Sequence, residues 1–239
     1  MTNVLICPRP FSAISFDLDD TLYDNRPIII NAERLLIAYL AKHYPKSTSW
    51  QSEQWFAVKK QMVRSQPSLA HDTSAARLVT LAYGLQQLGY SKVEAERGAQ
   101  DGLCHFLKYR SDITISEEVL AILYRLAQRY RLIGITNGNV DAKRIGLGEV
   151  FEFVLHPGNG IRMKPYPDMF YHAASRLALP TAQLLHVGDS YKADVQGARK
   201  AGCQAAWLNP AVDREPQSLG HGLLPHIQVC QLSELLQLA

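Results

Sequence analysis

Beyond Tyr109 the sequence alternates between strand-like and helix-like segments over roughly 130 residues. The strand-like segments are short apolar runs bounded by turn residues, and the helix-like segments carry apolar residues at helical spacing. This alternation predicts an α/β fold with a doubly wound parallel sheet, because each parallel strand needs a crossover, which is usually a helix. Strands are predicted at 131–136, 151–155, 184–188 and 204–208, with an edge strand at 227–229, and helices after Ser116, after Pro167 and over 192–201.

The first part of the chain has a different pattern. Residues 13–16 form a short β-prone run that ends in the acidic cluster Asp17-Leu18-Asp19-Asp20, which is typical of a buried strand followed by a functional loop. Four helical segments then follow one another with no strand among them. We therefore expect residues 1–24 and 110–239 to form the α/β domain, and residues 25–109 to be a helical cap domain inserted into it.

Chemically active side chains stand at the ends of three predicted strands. Asp17 and Asp19 follow the first strand, Thr136 ends another, and Asp189 follows a third. Because ligands of open parallel sheets bind beyond the carboxyl ends of the strands, we expect these side chains to converge. Residues two apart in an extended chain point to the same side, so Asp17 and Asp19 can address one reacting centre.

These carboxylates require a source of positive charge. Two like charges this close repel each other, and a divalent cation removes that penalty. Asp189 and Asp194 are the candidates for additional oxygen ligands. Because hard oxygen ligands without an accompanying His or Cys cluster favour Mg²⁺ over zinc, Mg²⁺ is the predicted cofactor.

Four motifs occur in order along the chain, and their combination is far more specific than any one of them. They are Asp-Leu-Asp-Asp-Thr (17–21), Thr-Asn-Gly (136–138), Lys-Pro (164–165) and Gly-Asp-x₄-Asp (188–194). With them the sequence resembles the haloacid dehalogenase (HAD) superfamily over essentially its whole length, and this resemblance implies a Rossmann-like sheet with a type C1 cap. More narrowly, residues 14–27, 135–139 and 185–189 resemble the bacterial phosphatases that act on FMN and on the riboflavin precursor 5-amino-6-(5-phospho-D-ribitylamino)uracil.

The resemblance implies a role for each motif residue in phosphate-ester hydrolysis. It makes Asp17 the nucleophile that becomes an aspartyl-phosphate, and Asp19 the general acid and then the general base. Thr136, the amides near Asn137, and Lys164 would hold the transferring phosphoryl group, whose transition state spreads negative charge over its oxygens.

The resemblance also implies a ligand set for Mg²⁺. Asp17, Asp189 and the backbone carbonyl of Asp19 would bind the ion. Asp194 would assist, and direct ligation and indirect support are both open for it.

Several other residues have competing interpretations. Arg162, two residues before Lys164, is a rival phosphate ligand. Asp20 and Asp24 are expected to cap the turn that leads into the cap, and His186 to be a hydrogen-bonded core residue. Substrate contact competes with an ordinary surface or packing role for a further set in the cap: Trp50, Trp55, Phe56, His71, Asp72, Arg77 and Tyr83.

Composition narrows the class of partner. Lysine and arginine exceed the acidic residues by only 25 to 22, without a basic cluster, so a nucleic-acid partner is not expected. No apolar run approaches the roughly 20 residues that span a bilayer, so we expect no membrane partner. Four widely spaced cysteines predict reduced, mostly buried thiols in a cytoplasmic protein. The expected partner is a small phosphorylated metabolite, and the expected assembly is a monomer or weak homodimer.

Rival functions belong to different reaction classes. A sugar-phosphate phosphatase or a phosphomutase of the same fold would retain every motif. A haloacid dehalogenase would use the first aspartate to attack carbon and would need neither Mg²⁺ nor Asp19. A non-catalytic binding module would be expected to lack at least one motif residue, and none is missing here.

Overall fold

The computed structural model describes residues 2–209 and 222–238, and these residues contain one seven-stranded sheet. In chain order its strands are β1 (Asn3–Val4), β2 (Ala13–Phe16), β3 (Arg131–Ile135), β4 (Val154–Leu155), β5 (Leu184–Gly188), β6 (Gln204–Leu208) and β7 (Ile227–Val229). The spatial order is β1-β7-β6-β5-β2-β3-β4, and every neighbouring pair is parallel except β1 with β7. The sheet is therefore the mostly parallel one that the sequence predicts.

Helices cover this sheet and also fill the long segment between β2 and β3. They are α1 (Arg26–His43), α2 (Ser52–Ser65), α3 (Thr73–Gln87), α4 (Lys92–Arg110), α5 (Glu117–Ala127), α6 (Asp168–Leu177) and α7 (Gly197–Lys200). A π-helix over Tyr191–Gln196 leads directly into α7, and short 3₁₀ helices lie at Pro45–Ser49, Pro67–His71, Thr181–Gln183 and Leu232–Leu238. Helices α1 to α4 follow one another without an intervening strand, as predicted.

Strand β2 lies near the middle of the sheet, between β3 and β5. All four of its residues are buried, and its neighbours on both sides run parallel to it. The backbone N–H of Asp17 still donates to the Val187 carbonyl of β5, at 2.8 Å. The carboxyl ends of β2, β3 and β5 therefore lie side by side, and the loops that leave them share one edge of the sheet.

Alternate residues of the sheet supply two apolar cores. Ile14 and Phe16 join the cluster that includes α5, whereas Ala13 points to the opposite face and joins the cluster that includes α6. Burial on both faces explains why these strands read as continuous apolar runs in the sequence. The sheet is consequently buried on both faces, and the loops that carry the motif residues leave from its edge.

Helices α1 to α4 form apolar clusters of their own. The larger one includes Leu36, Leu85 and Phe106, the smaller one is centred on α2 and α3, and the described members of both fall within residues 25–109. The division into 1–24 with 110–239 and 25–109 stays a prediction, and this separation of the clusters supports it.

Two local expectations were wrong, and a third was right in its bounds. β7 is not at the edge, because β1, a strand too short to leave a sequence pattern, pairs outside it. The strand expected over 151–155 is only Val154–Leu155, because the Phe151 N–H bonds back to Leu147. The helix expected over 192–201 is present over 191–200, and its first part is a π-helix.

The cysteines also differ from expectation. All four thiols are free, but only Cys203 is buried, and Cys7 and Cys104 are exposed, because both lie outside the apolar clusters. Across 2–209 and 222–238, no helix combines the length and the apolar character that crossing a membrane requires.

Candidate active site

A buried lysine, Lys164, lies among the side chains at the carboxyl ends of the strands. The Lys164 ammonium donates to Asp17 Oδ1 at 2.8 Å and to the Ile135 carbonyl at 2.5 Å, and it lies 2.7 Å from Asp194 Oδ1. Its side chain is 1% exposed. An ammonium has three donors, and here each faces an oxygen. Burial acts to lower the pKa of Lys164, but Asp17 and Asp194 outweigh it and raise the pKa, so the group is charged.

Asn137 fixes the backbone of this lysine. The Asn137 side chain donates to the Lys164 carbonyl at 2.9 Å and accepts from the Lys164 N–H at 2.7 Å. The rival cation, Arg162, forms hydrogen bonds of 2.8 and 2.9 Å with Asp168 instead. The structure therefore brings Lys164, and not Arg162, to the strand ends.

Asp194 reaches the same centre from the π-helix. Its Oδ1 accepts from His186 Nε2 at 3.1 Å, and its Oδ2 accepts from the Ser190 N–H at 2.9 Å. A Cβ on Gly188 would lie 2.2 Å from the Asp194 carboxyl carbon, so only glycine at the end of β5 leaves room for that carboxylate. His186 also contacts the Ser15 hydroxyl at 2.8 Å, and it is the hydrogen-bonded core residue that the sequence predicts.

Three carboxylates meet at this edge and form the candidate metal site. One oxygen each of Asp17, Asp189 and Asp194 lies within 4.8 Å of the other two. Asp189 is held by Thr21, whose hydroxyl accepts from the Asp189 N–H at 3.1 Å and lies 3.3 Å from Asp189 Oδ1. These donors are all oxygen, which is the set that hard cations such as Mg²⁺ and Ca²⁺ prefer.

The electrostatics of the acidic group show a shortage of positive charge. Burial raises the pKa of Asp189 to about 6, and the negative charge of Asp194 adds to the rise. Burial also raises the pKa of Asp17 by more than the neighbouring Lys164 lowers it. Burial acts upward on Asp194 too, but Lys164 and His186 lower its pKa to about 2. One ammonium thus balances only part of the charge of two buried carboxyl groups and a half-buried one, and a cation fits the site.

Asp19 stands apart from this acidic group. Its Oδ1 accepts from the Tyr23 hydroxyl at 2.5 Å and forms an ion pair with Arg110. Its Oδ2 faces Gly138, where an added Cβ would lie 2.4 Å from that oxygen and 3.3 Å from Thr136 Oγ1. The carboxylate of Asp19 and the hydroxyl of Thr136 therefore border the same small space.

The remaining sequence candidates lie at the ends of helices and turns. Asp20 accepts from the Asn25 N–H and Asp24 accepts from the Arg26 N–H, so both cap the turn as expected. Asp72 accepts from the Ala75 N–H as the N-cap of α3.

The helical segment contacts the loop after β3 and has a cavity of its own. The Asn139 side chain donates to the Ser74 hydroxyl at 3.0 Å, which links the loop after β3 to the start of α3. Arg77 forms two hydrogen bonds with Glu33 and lies over the Phe106 ring. A cavity of about 790 Å³ opens between α1, α2 and α3, and its lining includes Ile29, Glu33, Trp55, Phe56, Lys59 and Arg77.

Packing accounts for part of the predicted aromatic set. Trp50 and Trp55 stack edge to face with ring centroids 5.0 Å apart. The His71 ring packs edge to face on Tyr166, with 5.0 Å between centroids, and Tyr83 accepts a hydrogen bond from Gln61. Phe56 stays exposed.

Sequence reasoning missed two residues that contact Asp19. Tyr23 lies four residues after Asp19 in the same loop, and that spacing was the only available signal. Arg110 is the last residue of α4 and is far from Asp19 in sequence, so no local pattern points to it. It was missed because a lone arginine at a helix end ordinarily interacts with the helix terminus.

Comparison with known proteins agrees with this geometry. The family model described as haloacid dehalogenase-like hydrolase matches residues 11–202. The 5-amino-6-(5-phospho-D-ribitylamino)uracil phosphatase YigB of Escherichia coli (strain K12) is 37% identical over 227 residues, which is 95% of each chain. The N-acylneuraminate-9-phosphatase of Rattus norvegicus is 26% identical and covers 93% of this chain and 91% of its own.

A solved structure is similar over nearly the whole chain. The crystal structure described as a 2-haloacid dehalogenase from Pseudomonas syringae pv. Tomato DC3000 has a TM-score of 0.88 at 34% identity, covering 95% of this chain and 97% of that one. Fold, motif residues and similarity therefore agree, and the chain belongs to the haloacid dehalogenase-like hydrolase family.

Proposed function

We propose that this hydrolase is a Mg²⁺-dependent phosphomonoesterase that works through an aspartyl-phosphate on Asp17. The observation that carries the proposal is the position of the Asp17 carboxylate. One of its oxygens is bound to the buried Lys164 ammonium, and the same side chain belongs to the acidic group at the strand ends. Asp19 and Thr136 border the space beside Gly138, next to this group.

Each step of the proposed reaction uses a residue of this chain. An Asp17 carboxylate oxygen attacks phosphorus and forms the acyl-phosphate bond, while the bond from phosphorus to the leaving oxygen breaks. Asp19 gives its proton to that leaving oxygen. In the second step Asp19 takes a proton from water, the water oxygen attacks phosphorus, and phosphate departs as the Asp17 carboxylate is restored.

Lys164, Thr136 and the amides near Asn137 are the proposed holders of the phosphoryl group. Lys164 contributes positive charge, and the Thr136 hydroxyl and the amides contribute donors to oxygens that gain negative charge in the transition state. Asn137 acts in addition through its side chain, since it fixes the Lys164 backbone by two hydrogen bonds.

Asp17, Asp189 and the backbone carbonyl of Asp19 are the proposed ligands for Mg²⁺. When bound, the ion would supply positive charge beside the transferring phosphoryl oxygens. We assign Asp194 a supporting position, because its two oxygens already meet Lys164, His186 and the Ser190 N–H. This assignment follows from the hydrogen bonds that occupy the Asp194 carboxylate.

The proposed substrates are FMN and 5-amino-6-(5-phospho-D-ribitylamino)uracil, with weaker activity on sugar phosphates. The similarity to the E. coli phosphatase supports this choice. Cytoplasmic location, a monomer or weak homodimer, and the lack of nucleic-acid or membrane partners stay predictions.

A dehalogenase is the second candidate, because the similar Pseudomonas structure is described as one. Asp19 speaks against it, since attack on a carbon that bears a halide needs no proton donor for the leaving group. Halide release from 2-chloropropionate and phosphate release from FMN, measured on one preparation, separate the two. A phosphomutase would convert its substrate into an isomeric phosphate ester, which product analysis detects.

Asp17→Asn should lower kcat for phosphate release by at least about a thousandfold, because an amide is a poor nucleophile of nearly the same shape. The melting temperature should change little, since Lys164 keeps the Asp194 carboxylate and the Ile135 carbonyl. Asp24→Asn is the matched control, because Asp24 is in the same loop but caps a turn. Turnover of Asp17→Asn within about tenfold of the wild type would contradict the covalent mechanism.

Removal of divalent cations with a chelator should abolish phosphate release, and added Mg²⁺ should restore it, with Mn²⁺ or Co²⁺ as partial substitutes. Asp189→Ala should raise the Mg²⁺ concentration needed for half-maximal rate, because a carboxylate ligand is lost. Asp168→Asn, which removes a carboxylate paired with Arg162, should leave that concentration unchanged. Full activity in excess chelator would show that the reaction does not require a metal ion.

FMN should give a kcat/KM at least about tenfold higher than p-nitrophenyl phosphate, although the latter has the better leaving group, because contacts outside the phosphoryl group add to transition-state binding. The measurement is phosphate release from both substrates at saturating Mg²⁺. If FMN is not preferred, the substrate assignment is wrong, and the phosphatase mechanism is unaffected.

A further inference from the structure

We propose that Arg110 is a positioning residue for the reaction, which holds the Asp19 carboxylate in the orientation needed for proton transfer. The inference rests on the proposed function, because it assumes that Asp19 is the acid and base. Arg110 is the last residue of α4, and it is only 1% exposed. Its guanidinium therefore meets the catalytic loop from the helical segment.

The two contacts of Asp19 are both on one oxygen. The Arg110 guanidinium, through Nη2, and the Tyr23 hydroxyl both donate to Asp19 Oδ1. Neither of these bonds uses Oδ2, which is the oxygen that faces Gly138 and Thr136. The carboxylate is thus held by Oδ1, and Oδ2 is left to exchange a proton with the substrate or with water.

Gly138 shows how tightly this arrangement is packed. A Cβ at this position would lie 2.4 Å from Asp19 Oδ2 and 3.1 Å from Arg110 Nη2. Glycine in the Thr-Asn-Gly motif is therefore required by the space that the Asp19 and Arg110 pair occupies. The loop after β3 and the end of α4 both pack closely around the Asp19 carboxylate.

The guanidinium also has a donor to spare. Arg110 Nη1 is buried and has no hydrogen-bond partner within the described part of the chain. An unpaired donor on a buried charge is costly, and a pair used only for stability is ordinarily satisfied on all sides or replaced by apolar packing. The position of the guanidinium is therefore set by its contact with Asp19 and not by pairing on all sides, which agrees with a positioning role.

The test compares two leaving groups. The value of kcat/KM reports events up to transfer of the phosphoryl group to Asp17, when Asp19 protonates the leaving oxygen. The leaving group of FMN is the riboflavin alkoxide, which needs that proton, whereas p-nitrophenolate leaves without it. For Arg110→Gln we expect kcat/KM to fall about a hundredfold for FMN and less than about tenfold for p-nitrophenyl phosphate. Arg110→Lys should recover part of the FMN loss.

Two further variants keep the test decisive if Arg110→Gln does not fold. Tyr23→Phe removes the other donor to Asp19 Oδ1. Like Arg110→Gln, it should lower the ratio of kcat/KM for FMN to kcat/KM for p-nitrophenyl phosphate. In an Asp19→Asn background, Arg110→Lys should leave that ratio unchanged, because the residue acts through Asp19. Arg131→Gln is the control, since it breaks an exposed arginine pair with Glu152 and should leave the ratio at the wild-type value.

Equal losses on both substrates in the Arg110 and Tyr23 variants would overturn the inference and make the ion pair purely structural. Failure of the proposed function looks different, because the wild-type enzyme would then hydrolyse neither phosphate ester. A wild-type enzyme that is active on both esters, with a ratio that Arg110 variants do not change, rejects the role of Arg110 alone.

Discussion

The buried ammonium of Lys164 is the interaction on which the site depends. Parallel strands end at one edge, and in this fold their loops bring three carboxyl groups together there. Buried charges are stable only when they are paired, and Lys164 pairs with two of these groups while also donating to the Ile135 carbonyl. Without this cation the convergence of the strand ends would place like charges against each other in a buried space.

Close packing at the strand ends explains several motif residues besides the reacting side chains. Gly188 has no side chain because the Asp194 carboxylate occupies the space of its Cβ, and Gly138 has none because Asp19 does the same there. Asn137 serves the lysine by holding its backbone from the neighbouring loop. The π-helix brings Asp194 to the lysine one turn after β5, and π-helical turns often occur at functional sites.

Local patterns in the sequence predict most of this architecture. Strand-helix alternation predicts the parallel sheet, and the motifs predict that Asp17, Thr136 and Asp189 stand at its edge. The sequence does not predict contacts that depend on tertiary structure. Arg110 reaches Asp19 from the far end of the helical segment, and β1 is defined only by its pairing with β7. Such contacts leave no periodicity in the sequence, so only the folded chain shows them.

If Asp17 carries the phosphoryl group during turnover, the covalent intermediate can be trapped on it. Borohydride reduces an acyl-phosphate to an alcohol, so enzyme quenched during turnover of FMN and then reduced should contain homoserine in place of Asp17. Mass spectrometry of the peptide that spans β2 and its following loop identifies the modified position. This change is expected at Asp17 only, dependent on substrate and absent without Mg²⁺. An unmodified Asp17 under conditions of rapid phosphate release, or modification of another carboxylate, would contradict the covalent role of Asp17.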